Sequence, residues 1–123
     1  MPEVIIIDDD TQLAEMLAEV GEMAGYKTLV FTEARKFLEH QKSADIIFLD
    51  LTMPDIDGIE VINELGNMKN KAALVLMSGF DKDILQASQQ LAREYGLNVI
   101  DILTKPMNIS DVSRILENLK STL

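Results

Sequence analysis

Five short apolar runs, separated by longer segments with helical periodicity, constrain the fold of this chain most strongly. The runs are Val4–Ile7, Thr28–Phe31, Ile46–Leu49, Ala73–Met77 and Val99–Leu103. They are rich in Ile, Val, Leu and Phe and do not alternate cleanly with polar residues, which is typical of strands buried on both faces of a parallel sheet. Because these runs alternate with helix-like segments, the sequence predicts an open α/β sheet.

The segments between the runs predict five helices. Apolar residues recur at helical spacing from Leu13 to Val20, and Gly25 is a stop signal before the second strand. The second helix is predicted to start after Thr32, a candidate N-cap, and to end near His40. The remaining predicted helices begin near Gly58, span Asp83 to Tyr95 with Gly96 as a stop signal, and span Ile109 to Leu119.

Length and charge narrow the range of functions. The 123 residues suffice for one domain, and 47% of them are hydrophobic, enough for one core. The formal net charge of −10 argues against nucleic acid or anionic lipid as the main partner, because both require clustered positive charge. There is no cysteine, and the first residues fit neither a signal peptide nor a membrane span.

The residues at the ends of the predicted strands are the candidates for a site. They are Asp8–Asp10, Asp50, Ser78 and Lys105, while the second strand ends in the less informative Thr32. Open α/β sheets bind ligands beyond the carboxyl ends of their strands. Four separate parts of the sequence should therefore bring carboxylates, a hydroxyl and a lysine to one edge.

Such a set suits phosphoryl chemistry. Two or three carboxylates held close together are costly unless a cation shares them, and their hard oxygen atoms favour Mg²⁺ or Ca²⁺. A lysine would neutralise charge and a hydroxyl would donate a hydrogen bond to a phosphoryl group. An aspartate can itself act as nucleophile and form an acyl phosphate. The residues thus predict a phosphoryl-transfer site with a carboxylate acceptor.

Four motifs, in this order, resemble one family: VIIIDDD, IIFLDLTMPDIDG, LVLMSGF and ILTKPM. Along nearly its whole length the chain resembles the receiver domain of two-component response regulators. The resemblance implies one receiver domain over residues 1–123, with the flavodoxin-like, doubly wound fold of five parallel strands and five helices. It also implies a cytoplasmic phosphorylation-dependent signalling switch rather than an enzyme, with slow autodephosphorylation at most. A histidine kinase or phosphotransfer protein would donate the phosphoryl group.

The resemblance also assigns roles to the residues of the acidic cluster. Asp50 would be the phosphoacceptor. Asp9 would ligate Mg²⁺ directly, Asp8 would act mostly through water, and the backbone carbonyl of Thr52 would be a further ligand. Asp10 falls outside the acidic pair and more simply caps the first helix.

Three other residues complete the implied machinery. Lys105 would contact the phosphoryl group and precede a cis peptide bond to Pro106. Ser78 would hydrogen-bond the phosphoryl oxygen after activation. Ile102 occupies the switch position, three residues before the lysine, where the family usually has Tyr or Phe. The output signal must therefore travel partly by a route that does not depend on a moving ring, or be weaker.

A second departure concerns length. The stretch from Ser78 to Lys105 is about one helical turn longer than usual, as in receivers that precede EAL-type cyclic-di-GMP phosphodiesterase domains. We therefore favour a domain excised from a longer regulator, with such an output domain at its C-terminal end, over a stand-alone receiver. An activation-linked homodimer is compatible with the sequence. Phe80, two residues after Ser78, is expected to shield the phosphoryl group and slow its loss.

Two other functions stay open at this point. A small haloacid-dehalogenase-like phosphatase would use Asp8, Ser78 and Lys105, but Gln12 stands where that family has Thr or Val, and Asp50 would have no task. A receiver-like module could also bind partners without phosphorylation.

The remaining polar residues of interest have simpler interpretations. Asp55 and Asp57 are expected to be solvated loop residues, and His40, the only histidine, is expected on the surface.

Overall fold

The computed structural model describes residues 1–40, 43–79 and 81–123. Within them, strands and helices alternate as β1 (Glu3–Ile7), α1 (Thr11–Met23), β2 (Lys27–Phe31), α2 (Ala34–His40), β3 (Ile46–Asp50), α3 (Gly58–Asn67), β4 (Ala73–Ser78), α4 (Lys82–Glu94), β5 (Asn98–Thr104) and α5 (Ile109–Lys120). The predicted order of elements is confirmed. None of the helices in these residues is long and apolar enough to cross a bilayer.

The five strands form one parallel sheet with the order β2-β1-β3-β4-β5. The three central strands are buried almost throughout, as their continuous apolar runs predicted. The expectation that all five strands are buried on both faces is wrong for β2 and β5, which are largely half-buried. These two strands are the sheet edges, so each has a neighbouring strand on only one side.

Helices cover both faces of the sheet, so the predicted doubly wound α/β fold is confirmed. Because alternate residues of a strand point to opposite faces, the apolar side chains divide into two clusters. Ile5 and Ile7 belong to a cluster that includes buried residues of α2, α3 and α4. Val4 and Ile6 belong to a second cluster, which includes buried residues of α1 and α5.

Local capping signals set most helix ends. Asp10 is the N-cap of α1, and its carboxylate accepts a hydrogen bond from the backbone N–H of Leu13 at 3.2 Å. Gly25 and Gly96, the two predicted stop signals, adopt positive φ angles of 90° and 74° just after α1 and α4. A left-handed residue after a helix is unstrained for glycine, which explains why the chain turns there.

Candidate functional site

The parallel register brings the ends of the inner strands to one edge. Asp50 pairs with Met77 across β3 and β4, and Ser78 pairs with Thr104 across β4 and β5. Asp8 follows the last residue of β1, which pairs with Leu49 one residue before Asp50. The predicted convergence of four sequence regions is therefore confirmed.

Lys105 is the centre of this edge. Its Nζ lies 2.9 Å from Oδ2 of Asp8 and 3.1 Å from Oδ2 of Asp50. Asp8 is fully buried and Asp50 is 2% exposed, whereas the Lys105 side chain is 24% exposed. Two carboxylates removed from water thus share one ammonium group that still reaches the surface.

Backbone contacts hold these side chains in place. The N–H of Thr52 donates to Oδ1 of Asp50 at 3.0 Å, and the N–H of Asp10 donates to Oδ1 of Asp8 at 2.9 Å. The N–H of Lys105 donates to the carbonyl of Ser78 at 2.8 Å, and the peptide bond from Lys105 to Pro106 is cis. Each carboxylate therefore has one oxygen held by the backbone and the other beside Lys105.

Burial and charge shift the titration of this group. Burial raises the pKa of Asp50 from 3.8 to about 6; the neighbouring Asp8 carboxylate raises it too, and the Thr52 N–H and Lys105 oppose them. For Lys105, burial alone would lower the pKa, but the hydrogen bond to Asp8 and the charges of Asp50 and Asp8 outweigh it and raise the pKa. Lys105 is therefore charged at neutral pH, while Asp50 is held in its ionised form at a cost.

The carboxylates fit a divalent cation. One oxygen each of Asp8, Asp9 and Asp50 lies within 4.8 Å of the others, with Asp9 exposed and the other two buried. Three carboxylates against one ammonium leave two net negative charges, which an ion such as Mg²⁺ would balance. All the donors are hard oxygen atoms, the ligands that Mg²⁺ and Ca²⁺ prefer.

Ser78 is near the carboxylates, but its hydroxyl has another partner. The side chain is buried, and its Oγ donates to the carbonyl of Asp81 at 3.3 Å, within the loop between β4 and α4. Its proposed contact with a phosphoryl group would therefore require this hydrogen bond to break. The neighbouring Phe80 lies outside the described residues, so its expected shielding role stays a prediction.

Ile102 lies away from the carboxylates and faces the α4 side of the sheet. A shift in register pairs Leu74 with Val99 but Val75 with Asp101, so one residue of β5 bulges out. The bulge places Ile102 opposite Leu76, and Ile102 packs, half-buried, against the cluster that contains Leu76. This bulge could not be predicted, because the run Val99–Leu103 carries no signal for it.

Two expectations about polar residues, those for Asp55 and His40, are wrong. Asp55 lies in the loop but is half-buried rather than solvated, and its two carboxylate oxygens accept from the N–H groups of Ala34 and Arg35 at 3.3 and 3.0 Å. It therefore supplies the cap of α2 that the sequence assigned to Thr32.

Asp57 is an exposed loop residue, as expected, and it is also the N-cap of α3, where it accepts from the N–H of Glu60 at 2.9 Å. His40 is half-buried rather than on the surface, and its ring packs edge-on against Phe31 with centroids 5.1 Å apart.

A family model described as the response regulator receiver domain matches residues 4–117. The match covers nearly the whole chain and includes every strand end that builds the site. The chain belongs to the response regulator receiver family.

Solved structures and curated relatives agree with this family. A response regulator from Colwellia psychrerythraea superposes with a TM-score of 0.88 at 40% identity, over 99% of this chain and 98% of that chain. The receiver domain of the Francisella response regulator 1452 gives a TM-score of 0.81 at 25% identity, over 100% of both chains. The tetrathionate response regulatory protein TtrR of Salmonella typhimurium is 29% identical over 119 residues, which are 95% of this chain and 55% of that protein.

The sensory transduction protein LytT of Bacillus cereus is 31% identical over 127 residues, which cover 98% of this chain and 46% of that protein. The chain thus spans about half the length of the curated relatives it matches.

Membership in the receiver family settles the general function. Receivers of two-component response regulators are expected to act as phosphorylation-dependent switches, and the two alternatives left open by the sequence are not favoured.

Proposed function

We propose that this receiver, formed by residues 1–123, accepts a phosphoryl group on Asp50 in the presence of Mg²⁺. The observation that carries the proposal is the position of Lys105, whose Nζ lies 2.9 Å from Asp8 and 3.1 Å from Asp50. One ammonium between two buried carboxylates is suited to neutralise a transferred phosphoryl group. The donor would be the phosphohistidine of a histidine kinase or phosphotransfer protein, the usual partners of the family.

In the transfer step, a carboxylate oxygen of Asp50 forms a bond to phosphorus as the phosphorus–nitrogen bond of the donor breaks. The electron pair leaves with the donor imidazole, which takes up a proton. Asp8, Asp9 and Asp50 would hold Mg²⁺ together with the Thr52 carbonyl. Bound Mg²⁺ would neutralise charge that develops on the phosphoryl oxygens.

The switch would begin at Ser78. Its hydroxyl would exchange the Asp81 carbonyl, 3.3 Å away, for a phosphoryl oxygen. Because Asp81 is the N-cap of α4, this exchange would free one contact at the start of that helix. Ile102 packs against the same cluster as Ile84 and Leu85 of α4, so a shift of α4 would alter its packing.

The output follows from the family rather than from this chain. We propose that phosphorylation changes contacts with a partner or with an output domain of the EAL type in the full-length protein, and that an activation-linked homodimer is one form of this response. The chemistry of the receiver itself would be limited to self-phosphorylation from small donors and slow autodephosphorylation, in the cytoplasm.

The test is an intact-mass measurement after incubation with Mg²⁺ and a small phosphodonor such as acetyl phosphate. The wild type should gain one phosphoryl group that hydroxylamine removes, and Asp50→Asn should gain none. Asp45→Asn is the matched control, because Asp45 immediately precedes the strand that Asp50 ends. Beryllofluoride with Mg²⁺ should also change the amide spectrum of the wild type.

Phosphorylation of Asp50→Asn to the wild-type extent would refute the assignment of the acceptor. If neither phosphodonor nor beryllofluoride had any effect on the wild type, a phosphorylation-independent binding module would be the better description.

A further inference from the structure

The loop between β3 and α3 is tied to a helix far away in the sequence. This acceptor loop, residues 51–57, follows Asp50 directly and has no regular secondary structure. At its tip, Asp55 receives hydrogen bonds from the N–H groups of Ala34 and Arg35, 21 and 20 residues earlier. One carboxylate thus joins the loop that carries the acceptor to the first turn of α2.

The two hydrogen bonds to Asp55 satisfy N–H groups at the start of α2. The first N–H groups of a helix have no partner within it, and α2 has only seven residues. Thr32 and Glu33 precede the helix, and the carboxylate of Glu33 lies 3.8 Å from Lys36 instead of over the free N–H groups. Asp55 therefore stabilises the start of α2 and is itself held in a fixed place.

Apolar contacts reinforce the same junction. Met53 and Ile56, which lie on either side of Asp55 in the loop, are buried in the cluster that contains Ala34 and Phe37 of α2. The loop and α2 therefore contribute side chains to the same buried cluster, in addition to the hydrogen bonds of the carboxylate.

The base of the loop is closed separately. The N–H of Gly58 donates to the carbonyl of Leu51 at 3.0 Å, and a Cβ atom at Gly58 would lie 2.8 Å from the Leu51 Cα. With its base closed at Leu51 and its tip held at Asp55, the loop has little freedom at Thr52, which lies between them. The Thr52 N–H in turn orients Oδ1 of Asp50 at 3.0 Å.

We propose that Asp55 is a positioning residue for the acceptor site, which holds the acceptor loop against α2 so that the Thr52 carbonyl and Asp50 are preorganised for Mg²⁺. The inference rests on the proposed function, because it concerns the same cation. Asp55 ligates nothing in this scheme. Its contribution is the conformational freedom of the loop that Mg²⁺ binding no longer has to remove.

The experiment measures Mg²⁺ affinity by calorimetry and hydrogen exchange of the Thr52 amide in metal-free protein. Asp55→Ala should weaken Mg²⁺ binding roughly three- to tenfold, at or below the low end of the effect of residues that orient metal ligands. Its Thr52 amide should also exchange faster. Asp55→Asn keeps an acceptor oxygen and should fall between the wild type and Asp55→Ala, and it also serves if Asp55→Ala does not fold.

Asp45→Ala is the matched control. Asp45 accepts a hydrogen bond from the N–H of Glu3 at 2.8 Å, across 42 residues. This contact lies at the amino ends of the strands, opposite the site at their carboxyl ends. Its loss should lower the melting temperature and leave both Mg²⁺ affinity and Thr52 exchange unchanged.

Wild-type Mg²⁺ affinity in Asp55→Ala, despite a lower melting temperature, would reduce Asp55 to a helix cap and overturn the inference. An equal loss of affinity in Asp45→Ala would also overturn it. Failure of the wild type to bind Mg²⁺ would instead overturn the proposed function. Unchanged hydrogen exchange of the Thr52 amide in Asp55→Ala would show, independently of any metal, that Asp55 does not hold the acceptor loop in place.

Discussion

Replacing Asp50 with asparagine should stabilise the metal-free protein at neutral pH, although it removes the proposed phosphoacceptor. Asp50 is 2% exposed and shares Lys105 with a second buried carboxylate. Asparagine has nearly the same shape, and its side-chain oxygen can still accept the Thr52 N–H. The substitution therefore removes a buried charge and leaves the packing in place.

The pKa of Asp50 gives the magnitude. Burial and the Asp8 charge raise it from 3.8 to about 6, so the ionised form costs the folded state about 3 kcal/mol at pH 7.5. Because the pKa of Asp50 is higher in the folded protein than in the unfolded chain, its ionisation costs the wild type no stability below pH 3.8. The wild type loses this stability as pH rises through about 6. In the variant, the asparagine amide group faces the Lys105 ammonium, and this contact should reduce the stabilisation by about 1 kcal/mol. We expect a net stabilisation of about 2 kcal/mol.

Mg²⁺ should close or reverse this difference. A ligand that binds only the folded state stabilises it by about 2.7 kcal/mol when its concentration is a hundred times its dissociation constant. Asp50→Asn lacks one of the three carboxylates and should gain less. Whether Asp50→Asn is more or less stable than the wild type therefore depends on whether Mg²⁺ is present.

The assay is urea denaturation followed by far-UV circular dichroism, since the chain has no tryptophan. Unfolding free energies are compared at pH 7.5 with EDTA, at pH 7.5 with Mg²⁺, and at pH 4.5 with EDTA, where the difference should shrink. Glu19→Gln, on the exposed face of α1, controls for the loss of one negative charge. If Asp50→Asn were no more stable than the wild type in EDTA at pH 7.5, the electrostatic reasoning would be refuted.

Three further substitutions test other parts of the structure. The Tyr26 hydroxyl donates to the Leu116 carbonyl at 2.6 Å, so Tyr26→Phe should cost about 1 kcal/mol in urea denaturation at pH 7.5. Because burial raises the pKa of Tyr26 above 10.0, the wild type should lose this advantage as pH rises through the raised value, and a gap that persisted there would contradict the assignment. Gly66→Ala would place a methyl group against the Tyr95 ring and should destabilise by about 1–3 kcal/mol. In a Tyr95→Ala background the same change should stabilise, since alanine favours the helix; stabilisation in the wild-type background would disprove the clash. Ile102→Tyr should alter the amide shifts that beryllofluoride with Mg²⁺ produces in α4, and identical shifts would exclude a role for this position.

Local patterns in the sequence account for much of the fold and for the composition of the site. The continuous apolar runs predicted all five strands, and in the three central strands burial on both faces explains why polar residues do not alternate. Asp10, Gly25 and Gly96 act on their own neighbours in the chain, so the ends that they set could be predicted. The convergence of Asp8, Asp50 and Lys105 also followed from the sequence, because parallel strands end at a common edge. Their individual roles in phosphoryl transfer stay predictions.

Contacts between distant parts of the chain were decided only by the tertiary structure. Asp55 caps α2 from the loop between β3 and α3, a role for which residues twenty positions apart give no local signal. The bulge in β5 turns Ile102 towards α4, and it is visible only in the pairing of β5 with β4. The pKa of Asp50 depends on burial and on charges from two other strand ends. The sequence alone determined which chemical groups meet at the edge of the sheet, because local pattern and strand direction suffice for that. The folded structure decided their partners, their orientation and their charge, because these depend on distances that only packing defines.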